Sequence, residues 1–316
     1  MKQFDIDLVY LWVDGNDTEW LAKKYKYLGK KLDNHTDATT IGRNANNDEL
    51  KYSLRSVEKN VNWVRRIFIV TDEQTPEWLQ TNDRVRIVDI REIIPPEALP
   101  CYNSNVIECF LYRIPDLSER FLYANDDMFF NTELDPSYFF THKGYPIVRL
   151  IRKPLGKIHT WWKKFRNQNI TSYRKTLIKA STLVEHKFGV HYSGLPHHNV
   201  DAYCKSDYKK AVETIFWEEI LPMISNHLRT DEDIQRATFS YYALAIGHAV
   251  IENINKTQSL RIGIEKKDFK SKLFKYKPNL FCLNDGVEAN NKDRIELTKT
   301  LDSLFPTKSK FEKINN

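Results

Sequence analysis

Two adjacent carboxylates, Asp126 and Asp127, follow Asn125 directly after the apolar run Phe121–Ala124. A short run of that kind is a buried strand, so acidic chemistry is delivered at a strand's carboxyl end. Ionised carboxylates held there unpaired are costly. A hard divalent cation, Mg2+ or Mn2+, resolves the conflict, because it takes carboxylate oxygens together with substrate phosphates. Asp126 and Asp127 are therefore the expected metal ligands. The arrangement recurs where Asp14, Asn16 and Asp17 flank Gly15 after Asp5–Val13, and where Asn284 and Asp285 follow Leu280–Leu283. Asp285 is an alternative or additional ligand. The plain reading in each place is a solvated acidic turn.

Other polar groups cluster around these strand ends. His191–Asp201, HYSGLPHHNVD, carries three histidines around Gly194 and Pro196. No further ligands stand at zinc spacing, so a phosphate contact or proton transfer suits it better, with a polar surface loop as the alternative. Arg229 precedes Thr230 and Asp233, a near capping box that opens an expected helix over Asp231–Ala249 and would aim backbone amides at an anion. Asp48 and Glu49 stand in the first turn of a helix capped by Asn46 or Asn47, with Leu50, Leu54, Val57 and Val61 as its apolar stripe. Asp48 and Arg55 share another face of that helix. Asn105 and Glu108 share one edge of a helix over Asn105–Ile114.

The intervening chain supplies the frame. Arg66–Thr71 and Val85–Ile90 read as strands, with a short helix at Pro76–Leu79 between them. That is the βαβ pattern of a mostly parallel sheet flanked by helices, an α/β fold. Trp20–Leu32 and Ala202–Phe216 read as helices, His35–Ala45 as a loop, and Asp293–Phe305 as a closing helix. The 316-residue chain is expected to form one catalytic domain: an α/β part over 1–150, a basic helical insertion over 151–190, and a helical part over 191–316 that completes the site.

Composition narrows the setting. No run of eighteen apolar residues exists, and the N-terminal stretch reads as a first strand rather than a signal peptide. Cys101, Cys109, Cys204 and Cys282 lack zinc or redox spacing, so reduced thiols in a cytoplasmic protein are expected and the sequons at Asn34, Asn169 and Asn255 are chance matches. Residues 151–190 hold ten Lys/Arg against Glu185 alone, a local +9 in a chain of net +6, which leaves −3 for the rest. With Trp161, Trp162, Lys163 and Lys164 at its centre, this segment suits an anionic polymer or the inner face of the cytoplasmic membrane. No nucleic-acid motif accompanies it.

Taken together, four blocks resemble the Stealth family, which includes bacterial capsular-polysaccharide phosphotransferases and the catalytic subunit of the animal N-acetylglucosamine-1-phosphotransferase. They are Ile6–Asp17; Asn47–Leu79 continuing through Phe121–Phe130; Leu195–Tyr203 with Arg229–Gln235; and Leu280–Asp293. The blocks span nearly the whole chain in the family's order. Asp14 departs from the animal relatives, which resemble it but carry Asn there, and the family histidine is His197 or His198, with His197 favoured directly after Pro196.

The resemblance implies a nucleotide-sugar-transferase-like fold. It also implies transfer of a sugar-1-phosphate from a nucleotide-diphosphate sugar to a hydroxyl of a glycan or lipid-linked glycan. Carried over residue by residue, it implies His197, Arg229, Asp127 and Asp14 as catalytic groups. Asn16, Asp17, Arg43, Asp48, Arg55, Asn105, Glu108, Glu232 and Asn284 would contact substrate, and Asp126, Asp127 and Asp285 the metal. Two other classes stay open: a metal-dependent glycosyltransferase that releases nucleoside diphosphate, and a non-enzymatic binder of anionic polymers. The binder leaves three acidic strand ends unexplained.

Overall fold

The computed structural model describes residues 4–29, 46–152 and 171–313. Arg43, the expected loop His35–Ala45 and the Trp161–Arg166 cluster of the basic segment lie outside them. A five-stranded sheet runs in the order β3 (Val85–Asp89), β2 (Ile67–Thr71), β1 (Ile6–Leu11), β4 (Arg120–Asn125), β8 (Asp201–Cys204). The first four strands are mutually parallel and β8 is an antiparallel edge. The chain leaves β1 toward β2 and β3, then returns to lay β4 on the other side of β1. That reversal opens a crevice at the carboxyl ends of β1 and β4, where Leu11 stands opposite Asn125.

Apart from Asp7 in β1 and the end residues Arg120 and Asn125 of β4, both central strands are apolar, because both faces are covered. Val9, Phe121 and Tyr123 point into one core, together with α3 (Ser104–Cys109), α4 (Ser172–Phe188) and α6 (Ala237–Ala245). Leu8, Tyr10, Leu122 and Ala124 point into the other, against Leu50, Leu54 and Val57 of α2 (Glu49–Asn60), with Val61 just beyond it. The remaining labelled helices are α1 (Thr18–Leu28), α5 (Lys205–Lys210), α7 (Phe269–Tyr276) and α8 (Asn291–Leu304).

Only Asp126 and Asp127 separate β4 from β5 (Met128–Phe130), yet β5 belongs to a second sheet, β10 (Ser259–Gly263), β11 (Leu280–Asn284), β5. β10 and β11 are parallel and β5 is antiparallel to β11. The acidic pair therefore sits at the seam of two sheets. Phe129, Phe281 and Phe305 stack behind that seam, with Phe129 and Phe281 centroids 4.8 Å apart. A third sheet joins β7 (Leu195–Pro196), β6 (Ile147–Ile151) and β9 (Val250–Asn253). Strands from 191–316 thus pair with strands from 1–150 in all three sheets.

Several local expectations give way to tertiary context. No helix forms at Pro76–Leu79; one turn bond links Leu79 to Pro76, and Leu79 bridges to Glu312 instead. Asp201–Cys204 is an edge strand rather than the start of a helix, because pairing with β4 satisfies its backbone; α5 follows, then a π-helical stretch, Ala211–Ile215. The α-helix expected over Asn105–Ile114 ends at Cys109, and Asn105 and Glu108 are both buried. The helix expected from Asp231 begins only at Ala237. Asp233 is fully buried and accepts from Thr230, Asn103, Asn105 and Asn226, a polar hub that outweighs helix initiation at this point. Asp48, in the left-handed region at φ 63°, precedes α2 without a side-chain cap. α1 is capped by Asp17, which accepts from Glu19 and Trp20.

Candidate active site

The floor of the crevice is acidic and under-compensated. Burial pushes the Asp126 carboxyl well above the usual range, and the charges of Glu49 and Asp127 push it further. Burial likewise raises Asp127, opposed by a hydrogen bond from the Cys282 thiol (3.1 Å) and by the charge of Arg261. Glu49, in the first turn of α2, is pushed up to about 7 by burial, although Asn47 donates to it from its backbone (2.6 Å) and side-chain amide (2.7 Å). Asp127 also raises Glu49, so ionising all three carboxylates together is costly without a counter-charge.

Asp127 Oδ1 is buried with no hydrogen-bond partner. Among the described residues, no three or more His, Cys, Asp or Glu side chains are arranged to hold a metal by themselves. Two carboxylates and an orphaned oxygen nonetheless fit Mg2+, which takes one or two protein carboxylates and completes its shell with phosphate and water.

One wall is a buried ion network. Arg236 reaches Asp201 (3.1 Å) and Glu108 (3.5 Å), with its guanidinium 4.8 Å from the Tyr123 ring centroid. Tyr123 contacts Glu108 (3.2 Å) and Asn125 (2.9 Å) through its hydroxyl. Burial alone would raise Asp201, but the hydrogen bond from His197 and the charge of Arg236 hold it below the usual carboxylate range. Both His197 ring nitrogens are engaged, Nδ1 with Ser259 Oγ at 2.9 Å and Nε2 with Asp201 at 3.3 Å. His198 faces Arg261 and Arg236 and is lowered to about 3 by burial and by those two charges, so its ring is neutral. Arg229 hydrogen-bonds Ser104, and its charge reaches the Tyr123 hydroxyl from the α3 side.

The structure gathers Asp126, Asp127, Glu108, Arg229 and His197 around the crevice. Asn284 joins them by accepting from Arg261 on β10. The other expected groups, Arg43 aside, have partners of their own. Asp14 accepts from Asn16 N and Asn46 Nδ2, closing a turn at the end of β1; Asn16 reaches the Asn46 carbonyl, and Gln74 ties Asp14 to Asp17. Asp48 pairs with Lys51, and Asn105 with Asp233. Arg55 is buried in a fork with Glu312 (2.8 and 2.7 Å), and Glu232 is exposed against Lys179. Asp285 is forked by Arg294 (2.8 and 3.1 Å) and contacted by Asn47.

Glu49, Asp201, Arg236 and Arg261 were not singled out as site residues from sequence. Glu49 stood in view beside Asp48, but its position also suited a helix's first turn. Asp201 and Arg236 lie within or just beyond the third block. Arg261 carries no local signal, being one exposed position in an alternating strand.

This is an α/β protein with an acidic floor and an arginine-bearing wall at the switch point of its sheet. The chain belongs to the Stealth family. Residues 4–32 match the description "Stealth protein CR1, conserved region 1", residues 43–148 conserved region 2, and residues 272–316 conserved region 4. The chain is 33% identical to the capsular polysaccharide phosphotransferase SacB of Neisseria meningitidis serogroup A, over 98% of this chain and 57% of that protein. It is 32% identical to the capsular polysaccharide phosphotransferase LcbA of Aeromonas hydrophila, over 96% of this chain and 84% of the relative. The chain thus spans little more than half the length of SacB. An active-site mutant of LgtC aligns over 96% of this chain and 98% of its own at 13% identity and a TM-score of 0.45, too distant to inform the site.

Proposed function

We propose that this chain carries the catalytic part of a capsular or exopolysaccharide phosphotransferase. It takes a sugar-1-phosphate from a nucleotide-diphosphate sugar and joins it to a hydroxyl of a glycan or lipid-linked glycan. The observation that carries the reading is the under-compensated floor of Asp126, Asp127 and Glu49 facing arginines, in a chain of the Stealth family. The acceptor oxygen bonds to the phosphorus next to the sugar, the bridge between the two phosphorus atoms breaks, and a nucleoside monophosphate leaves.

Asp126 and Asp127 would hold Mg2+ or Mn2+; Asp285, already forked by Arg294, is the weaker candidate. When bound, the cation supplies charge neutralisation at the diphosphate. Arg229 neutralises phosphate charge from the α3 side. His197, paired with ionised Asp201, takes the acceptor proton by giving up its Ser259 contact, or stabilises the transferred phosphate.

The basic segment 151–190 would present the anionic acceptor chain, or rest on the inner face of the cytoplasmic membrane. Among the described residues, no helix is long and apolar enough to cross a membrane.

Chromatography of the nucleotide released from a panel of nucleotide sugars tests the reading. Monophosphate is expected. Diphosphate as the sole nucleotide product would instead mean cleavage at the anomeric carbon, the work of a glycosyltransferase. Near-normal kcat in His197→Ala would move the proton role to His198 or remove histidine from the mechanism.

A further inference from the structure

Beside the acidic floor, three groups from three separate elements converge without having been assigned a role. Arg261 stands on β10 in register with Cys282 of β11, whose thiol donates to Asp127. Opposed residues in adjacent strands share a face, so the Arg261 guanidinium stands on the Asp127 side of the sheet. It is solvent-exposed, is oriented by Asn284 Oδ1, and its charge is felt at both Asp127 and His198.

His198 is held at φ 51°, a conformation that costs a non-glycine residue energy, and its Nδ1 is buried with no hydrogen-bond partner. Such an atom is a standing cost until a partner arrives. Tyr173, at the start of α4, meets the His198 ring edge-on, with centroids 5.6 Å apart and planes at 88°. It remains 37% exposed, and its phenol lies in the fields of Arg236, Asp201 and Arg261. Lys175 and Lys179 of the same helix pair with Asp231 and Glu232, fixing α4 to the segment that follows Arg229.

We propose that Arg261, His198 and Tyr173 form the subsite for the transferred sugar-phosphate, the guanidinium and imidazole taking the phosphate and the tyrosine ring the sugar. The assignment rests on the phosphotransferase reading above. A guanidinium presents a fork matched to phosphate oxygens. A neutral imidazole with its proton on Nδ1 donates to a third oxygen while adding no charge between two arginines. An accessible aromatic ring offers a flat apolar face to the C–H side of a pyranose. Floor and wall then divide the work: the carboxylates meet the diphosphate through a cation, and this wall holds the part that is passed on.

The test is equilibrium binding, in Mg2+ buffer, of a panel of hexose 1-phosphates, inorganic phosphate and the free hexoses. At least one hexose 1-phosphate should bind more tightly than both its free sugar and inorganic phosphate. Arg261→Gln should weaken both phosphate-bearing probes roughly tenfold, the scale of a lost charge-assisted hydrogen bond. Tyr173→Ala should erase only the advantage of sugar phosphate over inorganic phosphate, and Tyr173→Phe should keep it. Arg261→Lys and Tyr173→Phe serve as folded references by thermal melting.

Wild-type affinity in Arg261→Gln, equal loss of both phosphate probes in Tyr173→Ala, or no preference for any hexose 1-phosphate would overturn the subsite. Nucleotide release separates this failure from that of the reaction. Monophosphate release with unchanged kinetics in both variants keeps the reaction and removes the subsite. The expected binding pattern without monophosphate release keeps the subsite and removes the reaction.

Discussion

The carboxylates buried at the back of this molecule and those at the seam of its sheets are treated in opposite ways. Behind α2, Glu312 accepts a two-pronged contact from Arg55 and further hydrogen bonds from Ser309; at the start of β1, Asp7 is fully buried but receives Arg65, Arg66 N and Ser118 N. Burial would raise Glu312, but Arg55 and Ser309 hold it below the usual range. At the seam between the sheets, Asp126, Asp127 and Glu49 face one another and are all raised. A matched buried charge holds the fold together. An unmatched group is a standing cost, of the kind that clusters at functional sites.

The largest expected effect separates the two kinds. Asp127→Asn should lower turnover about a thousandfold, the scale of losing a group that stabilises transition-state charge, while the melting temperature holds or rises. A coincident loss of melting temperature would make the floor structural. Metal removal should act in parallel. Chelator should abolish turnover reversibly, and Mg2+ or Mn2+ should raise the melting temperature of wild type but not of the doubly substituted Asp126→Asn, Asp127→Asn protein. Full activity in excess chelator would end the metal assignment.

On the matched side, Arg55→Ala should cost about 3 kcal/mol by leaving Glu312 buried without its partner. Denaturant unfolding measures this, and specific activity of the protein that remains folded should be close to normal. If activity falls first, Arg55 belongs to the substrate site after all.

A smaller effect follows from Glu49. Its folded pKa of about 7 lies above the ordinary glutamate value, so the folded state binds more protons than the unfolded state between roughly pH 4.5 and 7. Without metal, that group's contribution should fall as pH rises through this window and level off above it. Glu49→Gln should remove the fall and be the more stable protein at pH 8, by about 3 kcal/mol. Parallel pH profiles for the two proteins would show that Glu49 bears no such burden.

The smallest effect concerns charges in neither buried set. Neutralising Lys163, Lys164 and Arg166, which lie outside the described residues, should weaken acceptor use or vesicle association severalfold at low salt and little at high salt, while donor binding is spared. Salt-independent behaviour would mark the segment as an ordinary solvated surface.

Much of this was legible before any coordinates. Phe121–Ala124 had to be a doubly buried strand, because four apolar residues before three polar ones fit little else. The acidic pair at its end, the stripe on α2 and the repeated Asn-Asp after β11 were local patterns of the same kind. Family membership rested on the order of such blocks. Asp231 was misleading for a physical reason: Thr230 and Asp233 have the spacing of a helix cap, yet Asp233 is spent on a buried hub with donors as distant as Asn103. Asp201–Cys204 was misread similarly, since pairing with β4 outweighs local preference.

What the sequence by itself determined is the set of groups and the strand ends that carry them. Only the tertiary structure decided which carboxylates have partners. Arg55 and Glu312 are far apart in the chain, as are Asp285 and Asn47, or Arg261 and the Asp127 it faces. Charge compensation acts through space over a few ångströms, and spacing along the chain does not encode it. The same distance dependence brings Glu49 of α2 against the adjacent Asp126 and Asp127 to make one acidic floor, and pairs Arg55 and Asp285 with partners of their own.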